Sequence, residues 1–168
     1  NTTGQENTAI GGSNLAYSAL QLNTTGSYNT ALGGGALGQN TTASNNTAVG
    51  YQAGYTNAVG GNLTAIGYQA LYKNTASYNS AIGYQAGYNT TSGTNNVYLG
   101  YAAGYYNSTS SGNTFIGITA GYNTTGSYNT FVGFGATQGD GAGVLVTTGS
   151  KNTILGGYSG NQGGLDIR

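Results

Sequence analysis

The chain is predicted to be all-β: a parallel β-solenoid or β-roll of about nine coils, each 16–17 residues long. Three observations predict this. A short phrase, Asn-Thr-(Ala/Phe)-(Ile/Val/Leu)-Gly with minor substitutions, recurs nine times along 168 residues. Its period is too short for a helix pair, and its β-branched and aromatic residues followed by glycine suit a short strand and a tight turn. Proline is absent, so no backbone donor is lost from a strand ladder.

The coils follow in order from the closing glycines, Gly11, Gly33, Gly50, Gly67, Gly83, Gly100, Gly117, Gly133 and Gly156. The first step is 22 residues, the next six are 17, 17, 16, 17, 17 and 16, and the last is 23. The stretch Asn23–Gly33 therefore returns almost word for word at Asn123–Gly133, six coils later. A Ser-Tyr-Asn triplet marks every third coil, at Ser27–Asn29, Ser77–Asn79 and Ser127–Asn129, as duplication of a three-coil unit would leave it. A second phrase follows the glycine, as in Tyr51–Gly54, Tyr68–Leu71, Tyr84–Gly87 and Tyr101–Gly104. Its alanine stands three residues after the glycine in coils two to eight, so one corner is fixed while the opposite loop absorbs the length variation, the two insertions being the exceptions. The repeat region spans 1–156, with insertions near 12–16 and 138–143, and 157–168 is an exit segment towards a downstream region. Because the chain starts within a coil and the repeat fades after Gly156, a segment of a longer polypeptide is expected.

Within each core phrase, neighbouring side chains point to opposite faces of a strand. Both sets are apolar here. One runs Ala9, Ala31, Ala48, Ala65, Ala81, Tyr98, Phe115, Phe131 and Ile154; the other runs Ile10, Leu32, Val49, Ile66, Ile82, Leu99, Ile116, Val132 and Leu155. A strand wet on one side alternates apolar with polar. One face is thus expected to fill the coil and the other a subunit contact, with one large aliphatic and two alanines buried per coil. Burial on that scale falls short of the entropy of ordering a whole coil, which points to a homo-oligomer, a trimer being the simplest cyclic form.

Other columns follow from the same register. Asn29, Asn46, Asn79, Asn96, Asn113 and Asn129, with Asn7 and Asn152, form one that reads as a buried amide ladder; a metal or ligand site is the competing reading. Tyr51, Tyr68, Tyr84 and Tyr101 form a first tyrosine column, continued by Ile118 and Phe134. Tyr55, Tyr72, Tyr88, Tyr105 and Tyr122 form a second. Stacking explains both; contact with the apolar faces of cell-surface glycan is the alternative, and the second column is expected to be the more exposed. The threonine column from Thr8 to Thr153 is broken at Val97 and has aliphatic neighbours, which argues against ice binding. Asn-x-Ser/Thr sequons at Asn23, Asn40, Asn89 and Asn123 suit turns and would be glycan acceptors in a secretory pathway.

Composition narrows the function. Three acidic and three basic side chains give zero net charge, too few cations to neutralise a run of phosphates, so nucleic acid is an unsuitable partner. No apolar run is long enough to embed in a membrane. With no histidine or cysteine and widely separated acids, the chain lacks the groups for acid–base or nucleophilic catalysis. It is expected to be no enzyme and to hold no cofactor or metal.

The phrases "NTAIG", "NTAVGYQAGY", "NTFIG" and "NTTGSYNTFVG", closing in "GNQGGLDIR", resemble the repetitive fibre region of phage tail-fibre-like proteins, which carry a C-terminal endosialidase-type intramolecular chaperone. The likeness spans nearly the whole chain. No residue here matches that chaperone, so its self-cleavage is assigned to none. The core phrase is more loosely similar to head repeats of trimeric autotransporter adhesins, whose period is shorter. The resemblance implies a homotrimeric fibre shaft, extracellular or on the virion surface, that spaces and attaches at a host cell. A self-assembling extracellular filament stacked end to end, or a glycan-binding module, are the alternatives.

Overall fold

A computed structural model describes residues 2–12, 17–134, 142–143 and 146–157. Nine three-residue strands lie parallel in chain order: β1 Thr8–Ile10, β2 Thr30–Leu32, β3 Thr47–Val49, β4 Thr64–Ile66, β5 Ser80–Ile82, β6 Val97–Leu99, β7 Thr114–Ile116, β8 Thr130–Val132 and β9 Thr153–Leu155. Each pairs with the strand one coil before and one coil after, and the repeat unit sets the register: Thr30 faces Thr47, Ala31 faces Ala48, Leu32 faces Val49. The protein is therefore an all-β parallel β-solenoid. No helix occurs among the described residues. The two long steps, from Thr8 to Thr30 and from Thr130 to Thr153, keep this register, so their extra residues leave the ladder undisturbed. Both insertions lie partly outside the described residues, as does nearly all of the exit segment.

The strands are short because glycine ends each one. A β-carbon at Gly50 would lie 2.5 Å from the carbonyl oxygen of Gly67, and one at Gly33 would lie 2.6 Å from that of Gly50. Their φ angles, +129° and +128°, also lie beyond the left-handed well that other residues tolerate. The backbone ladder continues around the corners, its donors alternating between the coil before and the coil after. Gly50 N–H reaches Leu32 O at 2.7 Å and Gln52 N–H reaches Gly34 O at 2.9 Å, whereas Gly54 N–H reaches Ala70 O at 2.9 Å. Left-handed residues such as Gln52, Gly54 and Asn62 make the bends of the coil.

The interior is narrow. The strand's middle residue (Ala31, Ala48, Ala65, Ala81, Tyr98, Phe115, Phe131) and the alanine of the second phrase (Ala36, Ala53, Ala70, Ala86, Ala103, Ala120) are buried throughout. One large apolar side chain fills most coils, but its position moves. It is Leu37 or Leu71 at the left-handed corner, Leu63 where other coils have asparagine, and Tyr98, Phe115 and Phe131 on the strand. Where the strand residue is aromatic, the corner is glycine: a β-carbon at Gly121 would lie 2.5 Å from Phe115 Cδ2.

The aliphatic column lies on the other side. Leu32, Ile82 and Leu99 are 42–44% exposed, Ile10 and Leu155 more so, and Val49, Ile66, Ile116 and Val132 are half-buried. This corrects the expectation that a large aliphatic from each core phrase is buried. The coil closes so tightly that its strand interior accepts alanine, an aromatic ring facing glycine or, in β9, Ile154, and the aliphatic column is turned outward beside the threonines.

Candidate functional site

The expected ladder asparagines Asn29, Asn46, Asn79, Asn96, Asn113 and Asn129 are all fully buried. They connect coils by a side-chain-to-backbone relay. Asn29 Oδ1 accepts the Asn46 N–H at 3.0 Å, Asn79 Oδ1 that of Asn96 at 3.0 Å, Asn96 Oδ1 that of Asn113 at 2.9 Å and Asn113 Oδ1 that of Asn129 at 2.8 Å. The amide nitrogens of Asn29, Asn79, Asn96 and Asn129 serve the facing turn, as where Asn96 Nδ2 donates to Ser110 O at 2.9 Å, whereas those of Asn46 and Asn113 are buried without a partner among the described residues. Asn46 Oδ1 accepts from Leu63 N–H at 2.9 Å, and Leu63 has no amide to continue the relay. Every one of these bonds is a backbone requirement met inside the coil, so the column acts as structure. Among the described residues no three His, Cys, Asp or Glu side chains converge to hold a metal.

A second buried polar column, Asn23, Asn40, Asn57, Asn74, Thr90, Asn107 and Thr124, escaped the sequence reading. Its signal was present, since each residue follows the left-handed corner by three. Asn23 and Asn40 were instead expected as turn residues and potential glycan acceptors. Both do hold turns, Asn23 Nδ2 donating to Gly26 O at 2.9 Å and Asn40 Nδ2 to Ala43 O at 3.1 Å, but their burial corrects the acceptor reading, and Asn40 Nδ2 also donates to Asn23 Oδ1 of the neighbouring coil at 2.6 Å. Asn89 is half-buried and its Oδ1 accepts Lys73 Nζ at 2.8 Å.

Further ladders, half-buried or buried, flank the asparagine columns. Gln85 Nε2 donates to Gln69 Oε1 and Gln69 Nε2 to Gln52 Oε1, each at 2.9 Å. Ser44 Oγ accepts from Ser27 N–H, and Ser127 Oγ from Ser111 N–H, at 3.0 and 3.2 Å. Both tyrosine columns stack. In the first, Tyr51, Tyr68, Tyr84 and Tyr101 have centroids 5.1–5.6 Å apart and planes within 18° of parallel. In the second, Tyr55, Tyr72, Tyr88, Tyr105 and Tyr122 have centroids 5.2–5.4 Å apart and planes within 16°. Burial, followed by the neighbouring phenols, pushes the Tyr72, Tyr105 and Tyr122 hydroxyls above the usual tyrosine range.

The order of exposure is the reverse of that expected. The first column is exposed and the second is half-buried; at its start Tyr55 lies across the glycine-lined corner formed by Gly35 and Gly38. In both columns ring faces are turned towards neighbouring rings. Edges and hydroxyls, rather than the faces a sugar would stack on, meet solvent along the stack.

Tyr28, Tyr78 and Tyr128 differ. They occupy a left-handed corner, at φ 59°, 63° and 61°, where other coils place Asn45, Asn62, Asn95 and Gly112. They are 54%, 60% and 64% exposed. Comparison with protein-family models, curated proteins and solved structures finds no match to this chain.

Proposed function

We propose that this chain is a non-enzymatic shaft segment of a fibre of the phage tail-fibre-like or adhesin-like kind, working as a homotrimer outside the cell or on a virion and spacing an attachment function from a host surface. The observation that carries this is the outward aliphatic column. The coil interior is already filled and its backbone donors are met from coil to coil, yet Leu32, Ile82 and Leu99 lie outside, more than two-fifths exposed. At about 4.8 Å per coil, that column makes a continuous apolar strip along the rod. A strip of this kind marks an interaction surface, and a self-complementary face repeated along a straight rod suits parallel copies of the same chain around a cyclic axis. The resemblance of its phrases to those of fibre regions supports the same reading.

The test is the mass in solution, by light scattering across a dilution series. A constant mass of three chains is expected. Mass that grows with concentration would put an end-to-end filament in its place, and a folded monomer would remove the subunit contact from the reading.

A further inference from the structure

We infer that the corner ridge bearing Tyr28, Tyr78 and Tyr128 is a binding surface for a neutral, linear polysaccharide, with the three tyrosine rings as stacking platforms. The inference starts from conformation. Left-handed backbone suits glycine and asparagine and disfavours bulky side chains. On this ridge Asn45, Asn62 and Asn95 meet that demand at φ 62°, 57° and 58°, so the coil needs no aromatic there. Tyr28, Tyr78 and Tyr128 take the same strained conformation while leaving most of the ring in water. Glu6 and Lys151 take this conformation on the same ridge, so what sets the three tyrosines apart is a large apolar ring left in water at a corner asparagine can fill.

Ring environment separates these three from every stacked tyrosine. Among the described residues no aromatic ring packs on any of them. Tyr128 leans on the backbone of Gly112, where an added β-carbon would lie 2.7 Å from Tyr128 Cδ1, and its exposure leaves the opposite side open. An open aromatic face, flanked by groups that both donate and accept hydrogen bonds, suits the apolar face and hydroxyl rim of a sugar ring. Exposed carboxamides supply those groups: Asn45 and Asn62 lie between Tyr28 and Tyr78, and Asn95 between Tyr78 and Tyr128.

Charge selects against an ionic ligand. The ridge is uncharged from Tyr28 to Tyr128 and reaches Glu6 and Lys151 only at its two ends. Lys73, the charged residue between those coils, lies elsewhere, 5.5 Å from the Tyr88 ring centroid. Length selects for a polymer. The rings recur every third coil, roughly 14 Å apart at the usual strand spacing, so one extended chain along the rod would meet all three and gain from multivalency. The surface is argued from the single rod and does not rest on the trimer reading.

The experiment is affinity electrophoresis of the whole chain through gels containing a soluble β-glucan, a galactan, a mannan or glycol chitin, with alginate as the anionic comparison. Light scattering on the same samples reports association separately. The expected result is retardation by at least one neutral polymer. The triple variant Tyr28→Asn, Tyr78→Asn, Tyr128→Asn should weaken it at least tenfold while keeping or raising the melting temperature, because asparagine already serves this corner in other coils. A Tyr68→Ser, Tyr84→Ser variant of the stacked column should bind within twofold of the parent. Retardation by alginate alone, by none of the polymers, or equally by the triple variant would overturn the inference.

Discussion

Gly87 and Tyr98 occupy one space: a β-carbon at Gly87 would stand 2.5 Å from Tyr98 Cδ2 and 2.7 Å from Cε2. The ring from one coil lies over the glycine corner of the coil before, which is why that coil, with Ala81 and Ala86 inside, needs no large residue of its own. The coil before it solves the same volume problem with Ala65 on the strand and Leu71 at the corner. Tyr98→Ala is expected to cost about 3–5 kcal/mol through the cavity. Gly87→Leu should cost about 1–3 kcal/mol through overpacking. The double variant should recover part of the loss, since leucine takes this left-handed corner at Leu37 and Leu71. A thermal-denaturation double-mutant cycle reads the coupling; additive losses would show that ring and corner do not share the space.

Gly50→Ala should be more damaging than any surface change. Its β-carbon would meet backbone at Gly67 rather than a flexible side chain, so the two coils must separate. We expect a loss of about 3 kcal/mol or more. Circular dichroism and chemical denaturation check it; a variant as stable as the parent would contradict the close coil spacing at this column.

Asn96→Ala removes an acceptor for Asn113 N–H and a donor to Ser110 O. Both groups are left within the coil, so a loss of about 2–4 kcal/mol is expected from the two unsatisfied partners. Hydrogen exchange should show faster exchange at the Asn113 amide. Exchange unchanged at that position would mean the relay does not protect it.

Alkaline pH should weaken the fold. Tyr98 is fully buried, its hydroxyl donating to Asn107 Oδ1 at 2.9 Å, and burial holds the phenol well above its ordinary value of 10.0. A raised phenol keeps its proton in the folded chain after the unfolded chain has lost it. Its contribution is therefore whole below pH 10.0 and declines as pH rises from there towards the raised folded value. Tyr72, Tyr105 and Tyr122 are shifted in the same direction. Melting temperature should fall above pH 10.0, and less steeply in Tyr98→Phe. That variant should lose about 1 kcal/mol at neutral pH through the unpaired Asn107 oxygen. Identical slopes for the two proteins would place the alkaline sensitivity elsewhere.

Outward aliphatics predict a separable effect on assembly. Ile82→Ser with Leu99→Ser should lower the mass in solution, and because both side chains are more than two-fifths exposed, the folding signal of the isolated rod should change by less than about 1 kcal/mol. Unchanged mass would remove this strip from the contact.

The sequence by itself determined the coil. The recurring glycine set the period and the strand ends, because only glycine fits where two backbones nearly touch. In-register asparagines announced a buried ladder, because an amide column can serve each coil's backbone in turn. Which of two apolar columns faces inward was decided only by the tertiary structure. Alternation marks Ala31 and Leu32 as opposite without saying which is inside, and the answer came from the small cross-section of the closed coil. The same holds for the tyrosines. Their columns were legible from spacing, but exposure depends on how each corner bends and on which rings cover one another. Asn23 and Asn40 read as turn residues for a related reason. Their role depends on a corner three residues earlier that turns them inward, and that corner can be leucine or glycine in sequence while adopting one backbone conformation in space.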